Sequence, residues 1–168
     1  MRFRAVISQE LLTILHAQAI ESHPLEVTGY FVGIESNKKG VTVFDIRHLM
    51  VSTRYRVRTP NRLDEIKGNV IGGWWDMLHE KDDKIFDRME RIGGWHTHPD
   101  GEPRLSMPSD ITKWDRKNGI SSDFDEIEDG KFELITAIWV GKRGKFLFKD
   151  AAFAKVGNRH FRCPITVW

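Results

Sequence analysis

The sequence predicts an α+β domain built on a mostly antiparallel sheet. Segments with strand-like alternation outnumber helical ones, the few helical segments are interspersed among them, and 168 residues suit a single domain. Phe3 to Ile7 reads as the first strand. A helix follows from about Gln9 to Glu21, with Ser8 as N-cap and Leu11, Leu12, Leu15, Ala19 and Ile20 at helical spacing. His23-Pro24 stops it, because proline disfavours helix in the residue before it. Val27 to Ile34 suits a buried strand; Asn37 to Gly40 makes a turn into a strand beginning at Val41. Residues 54–91 are harder to read: Pro60-Asn61 opens a helix, glycines interrupt it, and the stretch reads either as an insertion shaping a substrate surface or as an ordinary helix with a connecting loop. Ile92 to His98 is a strand, Pro108 to Lys117 a helix ending at Asn118-Gly119, and Phe132 to Val140 with Lys145 to Phe153 a hairpin. A last strand covers His160 to Trp168.

Composition excludes several classes. Hydrophobic residues make up 40% and charged residues 30%, enough for one core and a solvated surface. The formal charge of +2 gives no general reason to expect nucleic acid or an anionic membrane as partner. No apolar run approaches the roughly 20 residues of a membrane span. The start, MRFRAVISQELL, lacks a signal peptide's apolar stretch and cleavage site, so a cytoplasmic setting is expected. Cys163 is the only cysteine, which rules out an intrachain disulfide and a cysteine-based zinc knuckle.

The chemistry concentrates in GGWHTHPDGEPRLSMPSD, residues 93–110. In a strand, residues two apart share a face and lie about 6.6 Å apart along the axis, so His96 and His98 point the same way and Thr97 the other. The Asp100-Gly101 turn folds the chain back, and Asp110, in the first turn of the next helix, can supply a third ligand. Two imidazoles and a carboxylate with an open fourth position form the arrangement of a catalytic zinc; cobalt or iron could substitute, whereas magnesium and calcium prefer all-oxygen sites. His79-Glu80 opens like a zincin helix, but Asp83 stands where the second histidine belongs. His16, His23, His48 and His160 have no partners at ligand spacing, and Trp74, Trp75, Trp95 and Trp114 are expected mostly in the core.

Together with the segment PLEVTGYFVG, this motif resembles the JAMM (MPN-plus, Mov34/JAB) metallopeptidases, and within them the prokaryotic JAB branch. The family pattern is an upstream Glu, then His-x-His-Pro, then Ser and Asp. Here Glu26 precedes Gly29 and Gly33 at family spacing, and the resemblance covers about residues 3–155. It implies one zinc ion held by His96, His98 and Asp110, with Glu26 moving the proton of the zinc-bound water and a serine hydroxyl supporting the oxyanion. It also implies a cytidine-deaminase-like α/β sandwich with helices flanking the central sheet. One departure stands out. The family places its aspartate three positions after the serine, but three after Ser106 comes Ser109, and Asp110 follows one residue late. The departure reads as a one-residue insertion that leaves Asp110 as ligand; Ser106 is favoured over Ser109 as the serine, and Asp115 is a poorer ligand candidate.

The resemblance implies hydrolysis after the C-terminal tail of a ubiquitin-like protein, in deconjugation or precursor processing, as in bacterial conjugation and antiphage defence systems. Two other readings are a zinc hydrolase of a small amino-acid or cell-wall peptide conjugate, and a non-catalytic MPN scaffold module, whose members typically lose the ligands. The deaminases that share the distant fold need a Pro-Cys-x-x-Cys motif absent here.

Overall fold

The computed structural model describes residues 1–51, 55–59, 62–65, 89–117 and 121–168, with backbone alone for 55–59 and 62–65 and for Asp115. Strand β1 (Arg2–Ile7) buries Phe3, Ala5 and Ile7 in alternation. Helix α1 (Gln9–Ser22) starts at the Ser8 cap, whose side chain accepts from the Leu11 N–H, and lays Leu12, Leu15 and Ala19 on the sheet. Strands β2 (Thr28–Lys38) and β3 (Val41–Val51) form a hairpin closed by Lys39 and Gly40, both at positive φ as a two-residue turn requires. Strands β4 (Tyr55–Thr59) and β5 (Arg62–Glu65) pair with each other, so the helix expected to open at Pro60-Asn61 is replaced by strand from Arg62.

Beyond them, β6 (Glu90–Pro99) carries the histidine motif. Helices α2 (Lys113–Lys117) and α3 (Asp123–Glu126) follow, then β7 (Phe132–Val140), β8 (Phe146–Val156), β9 (Arg159–Arg162) and β10 (Ile165–Val167). The helix expected from Pro108 is shorter, because a Met107–Asp110 turn occupies its first residues. Its expected cap, Asn118-Gly119, lies outside the described residues, as do Trp74, Trp75, His79 and Asp83.

The main sheet has the order β10-β1-β3-β2-β6-β7-β8-β9. It is mixed: β1 runs parallel to β10 and β3, β6 runs parallel to β7, and the other neighbours are antiparallel. The single strand expected over His160 to Trp168 breaks at Cys163-Pro164 into β9 and β10, which pair at opposite ends of that order. Two residues link them, so the ends of the sheet meet. Cys163 N–H donates to Ala152 O of β8, and Pro164 O accepts from Ala5 N–H of β1. One short segment thereby pairs with β8 and then with β1, and so bridges the two ends of the sheet order.

Cys163 sits at this seam, 1% exposed, and burial pushes its thiol up to about 12. The thiolate is the reactive form. Native protein at pH 8 is therefore expected to resist a thiol-reactive dye that labels the chain fully in denaturant; rapid native labelling would show an open seam.

Each face of the sheet has its own core. The larger contains Phe31, Phe44, Trp95, Phe132 and Leu134 beneath α1. The smaller, on the opposite face, gathers Leu105, Ile127, Ile135, Ala151 and Phe153. Phe124 of α3 is buried, and its carbonyl accepts from Lys155 Nζ of β8, which ties α3 over this second face.

Candidate metal centre

Strand geometry places the histidines. In β6, Trp95 and Thr97 are buried towards α1, so His96 and His98 project from the second face. His96 lies opposite Thr28 in β2. The pairing continues one residue back, where Val27 and Thr97 are joined by Val27 N–H to Thr97 Oγ1 (3.0 Å) and Thr97 N–H to Val27 O (2.9 Å). Val27 is buried on the α1 side, and Glu26 just before it lies within reach of the charges of His96 and Asp123. Asp100, at positive φ, donates its N–H to Ile138 O and turns the chain back with Gly101, as the sequence indicated.

The carboxylate beside the histidines belongs to Asp123. Its Oδ1 lies 3.6 Å from His96 Nε2 and its Oδ2 3.7 Å from His98 Nε2, and the two Nε2 atoms are 2.9 Å apart. Among the described residues these three form the group able to hold a metal ion. This corrects the expectation for Asp110, whose Oδ2 caps Met107 N–H and lies 3.5 Å from Arg104 on the exposed turn. The physical reason is spacing: Asp123 follows Ser106 by 17 positions, far more than one inserted residue, and Phe124 N–H donates to Ser106 O where the two meet. Ser106 N–H donates to Asp123 Oδ2 (2.7 Å), and Asp123 N–H donates to Ser106 Oγ (2.8 Å). Ser106 thus grips the carboxylate, while Ser109 is exposed beside Asp110. The side chain of Asp115 lies outside the described residues. Trp114, expected in the core, is 66% exposed.

Sequence reasoning missed Asp123, and a signal for it exists. Ser122 caps α3 by accepting from Asp125 N–H, so SSDFDE reads as an acidic helix start. It also missed Glu133, the only charged residue within the apolar run FELITAIWV.

The hydrogen bonds define which ring nitrogens face the centre. His98 Nδ1 lies 2.8 Å from Glu102 O, a carbonyl that can only accept. His96 Nδ1 lies 2.8 Å from Glu133 Oε1. With both Nδ1 atoms donating, the two Nε2 atoms confront each other, and only a cation, proton or metal, can sit between two lone pairs at 2.9 Å. Four-coordinate zinc with ligand bonds of about 2.0–2.2 Å wants ligand atoms roughly 3.3–3.6 Å apart. One donor atom from each of the three residues lies within 4.8 Å of the other two, and the Nε2 pair at 2.9 Å is closer than that spacing, so the donor set fits zinc with small side-chain shifts.

Electrostatics agree. Burial disfavours a charged His96, but Asp123, the hydrogen bond and charge of Glu133, and Glu26 outweigh it and hold the imidazolium well above its usual range. His98 moves the other way, through burial and then the charge of His96. Burial also raises Glu133. Glu26 is pushed up to about 7, by burial first; the positive charge of His96 opposes the shift, and Asp123 and Glu126 add to it. A carboxylate held near neutrality beside a metal site is matched to general base work.

Comparison with known proteins places these features in a family. A solution structure of a protein from Salinibacter ruber is similar at TM-score 0.56 and 16% identity, covering 99% of this chain and 92% of its own; at that identity the likeness shows a shared fold. Another, from Desulfitobacterium hafniense, matches at TM-score 0.48 and 13% identity over 98% of this chain and 92% of its own. No curated protein matches. No helix among the described residues is long and apolar enough to cross a membrane. The family model of prokaryotic homologs of the JAB domain matches residues 8–140, a span containing Glu26, both histidines, Ser106, Asp123 and Glu133, and the chain belongs to that family.

Proposed function

We propose that this chain is a zinc-dependent peptidase that hydrolyses the amide or isopeptide bond after the C-terminal tail of a ubiquitin-like protein. The observation that carries the reading is the convergence of His96, His98 and Asp123 within electrostatic reach of Glu26. Bound zinc would supply Lewis acidity, bringing the pKa of water at its open position to about 7 and polarising a carbonyl. Glu26 takes the proton of the attacking water on its carboxylate and returns it to the leaving nitrogen. Ser106 Oγ, already accepting from Asp123 N–H, keeps its own proton to offer to the oxyanion. An extended tail needs open backbone groups to pair with. Strand β6 is flanked on both sides by β2 and β7, so such a tail would pair with another strand edge, the two-stranded β4–β5 sheet being one candidate among the described residues.

The test is cleavage of a ubiquitin-like protein fused through its tail to a reporter. Zinc-loaded protein is expected to cut at the end of the tail. Chelation should abolish cutting, and zinc should restore it. Cutting that survives complete metal removal would sink the proposal, and cutting confined to small amino-acid conjugates would replace its substrate.

A further inference from the structure

Glu133 occupies an unusual place. It sits in the second position of β7, 15% exposed, in a strand otherwise apolar apart from Thr136, and a buried carboxylate needs a strong partner to offset its desolvation. That partner is His96, whose Nδ1 lies 2.8 Å from Oε1. The seat for the carboxylate is built into the neighbouring strand: Gly94 lies opposite Glu133 in the parallel register, and a Cβ there would come within 2.2 Å of Oε2. Absence of a side chain at Gly94 therefore allows the carboxylate to lie flat against β6 and reach the ring two residues on.

We propose that Glu133, seated on Gly94, is the positioning residue of the metal centre, accepting from His96 Nδ1–H and so fixing the tautomer that aims Nε2 at the metal. The inference rests on the zinc reading of the site and adds to it a residue that touches neither metal nor substrate. Glu102 O performs the same service for His98 through a main-chain carbonyl. Such outer partners set ring orientation and raise ligand basicity, and their loss typically costs about 10–100-fold in metal affinity.

The experiment measures zinc affinity by competition with a chromogenic chelator, alongside ¹⁵N spectra of the His96 ring, in the full chain. Glu133→Leu is expected to weaken zinc binding by about 10–100-fold and to lose the Nδ1–H signature. Glu133→Gln, which keeps an acceptor oxygen in the same place and is isosteric should the leucine variant fail to fold, is expected to retain that signature with a smaller loss. Zinc affinity equal to wild type in the folded variants overturns the proposal while leaving the peptidase reading intact. A wild-type chain that binds no zinc overturns both.

Discussion

Asp123→Asn is expected to abolish tight zinc binding and all metal-dependent cleavage, whereas Asp110→Asn leaves both within about twofold of wild type. Asparagine preserves the shape of the side chain and an oxygen able to accept from Ser106 N–H, so the local fold survives. What it removes is the anionic donor between the two imidazoles. Losing one of three protein ligands should exceed the roughly 10–100-fold that outer partners are worth. Asp110 faces an exposed turn, where its carboxylate accepts from Met107 N–H, a role asparagine performs as well. Calorimetric titration of zinc into the metal-free variants decides between them; tight binding lost in Asp110→Asn and kept in Asp123→Asn would return the third ligand to Asp110 and contradict the geometry.

Asp123 escaped the sequence for a physical reason. Strand alternation alone aligned His96 with His98 and set Thr97 against the core, because the period of two is local and fixed by the backbone. Glu26 was legible through Gly29 and Gly33, whose missing side chains admit the Met50 and Asp45 carbonyls of β3, where a Cβ would lie only 2.4 and 2.1 Å away. Asp123 is different in kind. Its position depends on a loop returning to Ser106, and loop length is nearly free in sequence terms, since closure entropy grows only logarithmically with length. A rule of fixed spacing therefore selected the nearest carboxylate. The same holds for the fold. Every strand of the main sheet was visible as a pattern except the break at Cys163-Pro164, and the parallel β6–β7 pair and the meeting of the sheet's ends are long-range facts that no local pattern encodes.

Glu26→Gln is expected to lower cleavage by about 10²–10⁴-fold, the range general bases contribute, while zinc affinity stays near wild type. The variant keeps the volume of the side chain and removes only its capacity to take a proton. Stability should move the opposite way. In the folded, metal-free chain Glu26 is raised from 4.5 to about 7, so the protonated form is the one that folding favours. A group raised in this manner contributes stability that is fully present below the unfolded value and is lost as pH climbs through the folded one. Above pH 7 the wild-type chain carries a half-buried carboxylate near Asp123 and Glu126, at a cost on the order of 3 kcal/mol. Glutamine, neutral at every pH, avoids that cost. Denaturant melts of the metal-free proteins should show the variant more stable than wild type at pH 8, with the difference shrinking as pH falls and gone near pH 4.5. A difference that does not change between these two pH values would mean that Glu26 is solvated in the folded chain, and its claim to be the catalytic base would fail with it.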